Sequence, residues 1–531
     1  MAIERFGAVP VFRPSSGIAS DIREVARAHL HSRFSAGEYR GRDAVNRILQ
    51  HQYRVYEALL RPLIPKLASR DGAEFMLSQY DQAWRLLHGD GILDLNERER
   101  WLKIEPCMKR GIKFLVESIC MFGPAPNHAP RSRWEAQAVS ETALACAERM
   151  VDLAMQSDIV HSIFPDDCVL RILESGLYDF TLDIEGEGAG HDEEFSRRLI
   201  RDRQSRHRFV PSPQFDNHTA THQRFLDEPF EEAFQMSYGE FISAIVCVIN
   251  GSQPSLDPDA YPTLFVNRAR VIDELSESGR TRDAIERALD GFSITRENLM
   301  KEKRAVWKPK QESRAYRRGF FVLPHIDGPH LAFSRQMARE SLIQLVNWVP
   351  YRHLPREWRT QSTTRALSPL SREAGRWFEA LVRTCVKKLG FESLQTGKTI
   401  GRGSNTIVIP LEVGEIDVVA WQPQERVLFL AEAKMVMTGL EARYWRDDLH
   451  EFVSRRGSYA ERFQRKLAWA SQNSHKICET LGVGPPERTV GVMLTLYPCI
   501  ADAFIEDFRC VSITEFMLDY EEHREWPYTP T

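Results

Sequence analysis

The sequence predicts an α+β multidomain protein, with a mostly helical N-terminal region followed by a C-terminal α/β domain with a mixed central sheet. Three observations carry this. The chain has 531 residues, more than one domain of roughly 150 residues accounts for. Apolar residues recur at three- and four-residue steps through the first third, the spacing of amphipathic helices. After residue 368, short β-rich runs alternate with helical stretches.

Composition narrows the class. The chain is 43% hydrophobic, 27% charged and 10% aromatic, as in globular proteins, which excludes global disorder, collagen and a disulfide-stapled miniprotein. The formal charge is 70 − 74 = −4, so no overall basic excess points to nucleic acid, although a local basic groove stays open. The nine cysteines are scattered and never form C-x-x-C, against a zinc ribbon or a disulfide framework. No run approaches the roughly 20 apolar residues of a membrane span, so a cytoplasmic protein is expected.

Residues 1–182 read as helical. Ile22, Val25, Ala26, His29 and Leu30 share one spacing, and Val45, Ile48, Leu49 and Tyr53 another; further patterns cover Ala73–Leu87, Trp101–Met121 and Trp134–Gln156. Residues 183–225 read as a polar linker or insertion. An acidic, glycine-rich stretch there is followed by the basic run SRRLIRDRQSRHRF, read as self-paired and solvated. His218 and His222, four apart, suit a zinc pair only on a helix with a third ligand, and solvated loop histidines are the simpler reading. Residues 226–367 read as a second helical or mixed region, with helices at Glu231–Ile249, Arg268–Leu289 and Ser334–Val349 and a strand at Gly319–Pro324. His325 and His330 flank Asp327-Gly328-Pro329, which reads as a turn. An irregular stretch precedes the boundary at 368.

Residues 368–531 open with a helix over Ser371–Gly390, apolar along Ala374, Trp377, Phe378, Leu381, Val382 and Cys385, with Gly390 ending it. Asn405–Val413, Glu415–Trp421 and Val427–Ala433 read as a three-strand meander. Gln422–Glu425 makes the last turn. A helical region, Glu441–Leu481, and two strands, Thr489–Tyr497 and Arg509–Thr514, complete the domain.

The chemistry sits in GEIDVVAWQPQERVLFLAEAK, residues 414–434. Glu432 and Lys434 are two apart on one strand and share a face, and a hairpin can bring Asp417 opposite them. Ending the apolar strand VLFLA in Glu-x-Lys costs desolvation free energy, which a purely structural role offsets poorly. Two carboxylates can hold a hard divalent cation such as Mg²⁺. The cation lowers the pKa of water, and a lysine can orient that water or stabilise developing charge.

These residues resemble the PD-(D/E)XK nuclease superfamily, the restriction-endonuclease-like fold, over about Ser371–Asp519. Asp417 matches the first acidic position, and Glu432 and Lys434 the Glu-x-Lys. Gly375–Glu379, GRWFE, matches the upstream acidic context and makes Glu379 the third carboxylate. Ile416 stands where the family usually has proline. The resemblance implies Asp417, Glu432, the Ala433 carbonyl and Glu379 as metal ligands, with Lys434 positioning water. It implies Mg²⁺ as cofactor, with Mn²⁺ as substitute. It leaves Gln464 and Lys466 both open as the polar residue on the following helix.

The implied substrate is DNA, with RNA open to the same chemistry, and an endonuclease is the expected form. The loop carrying Arg402 and the helical region carrying Arg443, together with Gln464 and Lys466, are the nucleic-acid-binding candidates; arginines and aromatics interleave there. Gly397-Lys398-Thr399 lacks the upstream glycine of a phosphate loop, because Glu392 stands there. The layout also resembles bacterial genome-defence effectors, in which a sensor region restrains a nuclease. One site per chain favours a homodimer for two-strand cleavage; otherwise the helical region would bind a partner protein. The alternative reading is a non-catalytic nucleic-acid-binding or protein-interaction scaffold built on a decayed nuclease fold.

Overall fold

The computed structural model describes residues 3–528 except 7–8, 69, 89–94, 123–131, 165, 175–178, 187–188, 213, 216–217, 252–262, 302–313, 326 and 438–441. The chain is mixed α/β and divides into two units, Met1–Glu187 with Thr219–Ser368, and Gly188–His218 with Pro369–Thr531.

The first unit is dominated by long helices. Arg42–Leu60, Leu95–Phe122 and Arg133–Ser162 pack together along apolar faces that include Ile48, Leu49, Leu115, Leu144 and Val151. Ser132 caps the third by accepting the Glu135 N–H. The helical reading of residues 1–182 is interrupted, because Gly37–Arg40 is a strand paired with Cys168–Ile172. Gly37 and Gly41 bracket it at φ +140° and +79°, in the left-handed region that favours glycine. A four-stranded sheet orders Thr263–Asn267, His330–Ser334, Phe320–Leu323 and Ser293–Ile294. His222 is buried on the helix Thr219–Phe234, not in a solvated loop. No single described helix is long and apolar enough to cross a membrane.

The second unit contains the predicted mixed sheet. Its helices are α1 (His191–Ser205), α2 (Gln361–Lys388, which begins within the first unit), α3 (Ala442–Leu449), α4 (Tyr459–Gln472), α5 (Ser474–Leu481) and α6 (Ile513–His523). Its strands are β1 (Glu392–Gly397), β2 (Thr399–Arg402), β3 (Asn405–Val408), β4 (Ile416–Gln422), β5 (Val427–Lys434), β6 (Arg488–Thr495) and β7 (Arg509–Ser512). The main sheet runs β1-β4-β5-β6-β7. The pairs β1–β4 and β4–β5 are antiparallel, and β5–β6 and β6–β7 parallel.

The meander is corrected in one strand. Asn405–Val408 pairs with Thr399–Arg402 in a separate two-stranded sheet, and Glu392–Gly397 pairs with β4 instead. Register shifts along β1 mask the period-two pattern that identifies a strand. The stretch before residue 368 is also more ordered than its composition suggests, since α2 already begins at Gln361 and contains Pro369.

The basic run of residues 196–209 is helical, and it pairs largely with the C-terminal elements of its own unit. Arg198 reaches Asp502 at 3.1 Å and Glu515 at 2.6 Å, Arg201 reaches Asp519, and Arg208 reaches Glu521. Asp202 accepts from Ser512 Oγ at 2.7 Å. The segment read as a linker or insertion is thus a folded insertion across residues 188–218.

β5 is the central strand, and Val427 through Ala433 are all buried. Each such Leu or Phe contributes about 1.5–3 kcal/mol by leaving water. Helix α4 lies close to β6 at Gly491, where an added Cβ would meet Leu467 at 3.0 Å and Phe463 at 3.1 Å. That close approach keeps α4 near the sheet and its side chains within reach of β5.

Candidate functional site

The hairpin between β4 and β5 pairs Val418 with Ala431, which sets Asp417 beside the end of β5. Asp417 Oδ2 accepts the Ala433 N–H at 2.8 Å. Lys434 Nζ donates to Glu432 Oε1 at 2.7 Å and lies 3.8 Å from Asp417 Oδ2. One ammonium is therefore held between two carboxylates, one from each strand. From α4, Lys466 Nζ donates to Glu432 Oε2 at 2.6 Å. Of the two helix candidates left open by the sequence, Lys466 is the one in this cluster. Gln464 instead donates to Asp507 Oδ2 at 2.5 Å.

The cluster is largely buried. The side chains of Glu432, Lys466 and Asp417 are 8%, 9% and 14% exposed, against 24% for Lys434. Burial and the neighbouring Glu432 charge push the Asp417 carboxyl up to about 6, against the opposing pull of Lys434, the Ala433 N–H and Lys466. Burial alone would lower the Lys434 pKa, but Glu432 and Asp417 outweigh it and raise it. Lys434 is therefore a fixed cation at neutral pH.

Glu379 on α2 is half-buried. Burial raises its pKa; the Arg383 and Lys434 charges oppose this, while Glu415 and Glu432 add to it. It shares the electrostatic field of the cluster. Among the described residues, it does not close a three-ligand group with Asp417 and Glu432 within 4.8 Å. Ala433 presents its N–H to Asp417, as above. Arg402 lies on β2 and Arg443 on α3; their side chains fall outside the described residues.

Two further groups border the site. Lys434 Nζ lies 5.4 Å and the Arg462 guanidinium 4.8 Å from the Tyr459 ring centroid. Arg462 Nη2 is buried without a hydrogen-bond partner among the described residues. Arg462 stands one helical turn before Lys466, so the i, i+4 spacing was the available signal. Within a run that also holds Arg455, Arg456 and Arg465, that spacing did not single it out. Arg455 is paired with Glu451.

The donor set suits a hard divalent cation. Two carboxylates from adjacent strands already flank one positive charge. Burial first, and the Glu432 charge second, keep the Asp417 carboxyl raised despite Lys434 and Lys466. Oxygen ligands are those preferred by Mg²⁺. The same four side chains also form a neutral set, with two acids and two lysines.

No protein-family model matches the chain, and no curated protein or solved structure matches it.

Proposed function

We propose that the second unit is a Mg²⁺-dependent nuclease of restriction-endonuclease-like type that hydrolyses DNA phosphodiesters, most simply as an endonuclease. The observation that carries this reading is the convergence of Asp417, Glu432 and Lys434 at the buried end of two paired strands. Asp417, Glu432 and the Ala433 carbonyl would hold Mg²⁺, with Glu379 as a further ligand, and Mn²⁺ would substitute. The metal would supply Lewis-acid activation of water and charge neutralisation at the phosphate. Lys434, held protonated, orients the attacking water and stabilises charge on the phosphoryl oxygens. Lys466 holds Glu432 in place from α4. The helical first unit would regulate or target the cut, in keeping with a genome-defence role.

One observation favours a second reading. Both Glu432 oxygens are engaged by ammonium groups, Lys434 on one and Lys466 on the other. A neutral quartet of this kind would serve a nucleic-acid-binding or interaction scaffold without catalysis. Calorimetry with Mg²⁺ and Mn²⁺ separates the two. A nuclease binds the metal and loses it in Asp417→Ala. A scaffold shows no such binding and holds DNA equally well in chelator.

A further inference from the structure

In the first unit, the antiparallel strands Phe320–Leu323 and His330–Ser334 are joined by a short turn. Two imidazoles and a carboxylate converge on it. One ligand atom from each of His325, Asp327 and His330 lies within 4.8 Å of the other two. His325 Nδ1 is hydrogen-bonded to Asp327 Oδ1. His330 Nδ1 lies 3.7 Å from the same oxygen, and the two rings are 4.5 Å apart between centroids.

The turn is braced before any ligand arrives. Asn267, opposite His330 on the neighbouring strand, donates Nδ2 to the Asp327 carbonyl at 3.0 Å. The Arg268 N–H donates to the Pro329 carbonyl at 2.9 Å, and the Gly328 N–H to the His325 carbonyl at 3.2 Å. Gly328 has φ +110°, a conformation that favours glycine. His330 Nδ1 is also hydrogen-bonded to the Gly328 carbonyl at 3.1 Å, so one of the two imidazoles takes part in holding this segment. Turn formation accounts for Gly328, Pro329 and Asn267. It does not account for His325, an exposed imidazole bonded to Asp327 beside His330.

We propose that His325, Asp327 and His330 form a binding site for a borderline divalent transition-metal ion, with Zn²⁺ the ion best matched to two imidazole nitrogens and one carboxylate oxygen. Mg²⁺ and Ca²⁺ are a poorer match, because they prefer oxygen-only ligand sets. His330 anchors the site from the sheet at 8% exposure, while His325 and Asp327 open it to solvent. Three protein ligands leave a position for water or an exogenous ligand. The separate first unit carries this site, so it does not depend on the nuclease reading.

The test is a Co²⁺ titration of the full chain, stripped with chelator, with Co²⁺ as the visible-absorbing probe for the Zn²⁺ site. The expected result is one saturable set of visible bands per chain, bleached by Zn²⁺ and unaffected by excess Mg²⁺. Loss of an outer-shell partner alone costs about 10–100-fold in metal affinity, so His325→Ala and Asp327→Asn should each weaken binding by at least about tenfold. Both replaced side chains are partly exposed, and circular dichroism checks that the variants fold. The chain has 16 histidines, and weak binding at the others is subtracted by the same variants. Lys434→Ala should leave the bands unchanged. Absence of a saturable signal, or equal signals in wild type and in His325→Ala, would overturn the proposal.

Discussion

Lys466 on α4 donates to Glu432 Oε2 at 2.6 Å, across 34 residues of sequence, with both side chains under 10% exposed. This bond joins the helix after the Glu-x-Lys strand to the strand itself. Removing one partner of a buried ion pair leaves an uncompensated charge and typically costs about 3–5 kcal/mol. Lys466→Met should therefore lower stability by about that amount, read from urea unfolding. The double variant Lys466→Met with Glu432→Gln should lose less than the sum of the single losses. Additive losses would mean that the two side chains do not interact.

Asp417 gives a pH signature. Its folded pKa is raised to about 6, above the ordinary aspartate value of about 3.9. The folded state thus holds this proton more tightly than the unfolded state does. The associated stability is fully present below about pH 4 and is lost as pH rises through about 6. Metal-free wild type should lose stability across that window, and Asp417→Asn should not. The variant should melt higher than wild type at pH 8 while losing metal binding. Scanning calorimetry in chelator from pH 4 to 8 measures both.

Cleavage should depend on pH in the opposite direction. Mg²⁺ requires the ionised Asp417 carboxylate, so the rate should rise through about pH 6. The raised Lys434 pKa keeps this residue charged above neutrality. Lys434→Arg should then retain part of the activity that Lys434→Ala loses. A variant series in which Arg and Ala behave alike would show that charge at this position is not what matters.

Arg462 presents a buried Nη2 with no partner among the described residues, and its guanidinium lies over Tyr459, the ring that Lys434 Nζ also approaches. A phosphate oxygen would supply the missing acceptor. Removing one such transition-state donor costs about 10²–10³ in rate elsewhere. Arg462→Met should lower cleavage by about two orders of magnitude and leave the unfolding midpoint nearly unchanged. A large drop in stability with unchanged specific activity would assign it to packing instead.

Arg198 tests the docking of the insertion helix. It is held by Asp502 and Glu515 and by the carbonyls of Cys499 and Cys510. Their charges raise its pKa despite burial. Arg198→Met should destabilise the second unit by about 3–5 kcal/mol and increase proteolysis around residues 188–218. Arg376→Ala, on an exposed pair with Glu373, should change stability by less than about 1 kcal/mol.

Much of the second unit was legible from sequence. VLFLA read as a buried central strand, and the two-residue period put Glu432 and Lys434 on one face. Gly390 ended α2 where expected, at φ +84°. Three features escaped because they depend on tertiary partners. β1 has an irregular register against β4, so its period is blurred. The short strand Gly37–Arg40 is defined by a partner more than a hundred residues away. The basic run of α1 reads as solvated until the acids of residues 502–521 are seen to face it. Within the candidate site, the convergence of Asp417, Glu432 and Lys434 was legible because strand geometry is local. The choice of Lys466 over Gln464 required the seat of α4 on Gly491.

The most direct test of the central claim is cleavage of supercoiled plasmid, linear DNA and RNA by the full-length protein with Mg²⁺, Mn²⁺ or EDTA, comparing wild type with Lys434→Ala. The expected result is metal-dependent cutting of circular DNA that disappears in EDTA and in the variant. Cutting that persists in Lys434→Ala, or wild-type protein that neither cuts nor binds Mg²⁺ or Mn²⁺, would contradict a catalytic role for Asp417, Glu432 and Lys434.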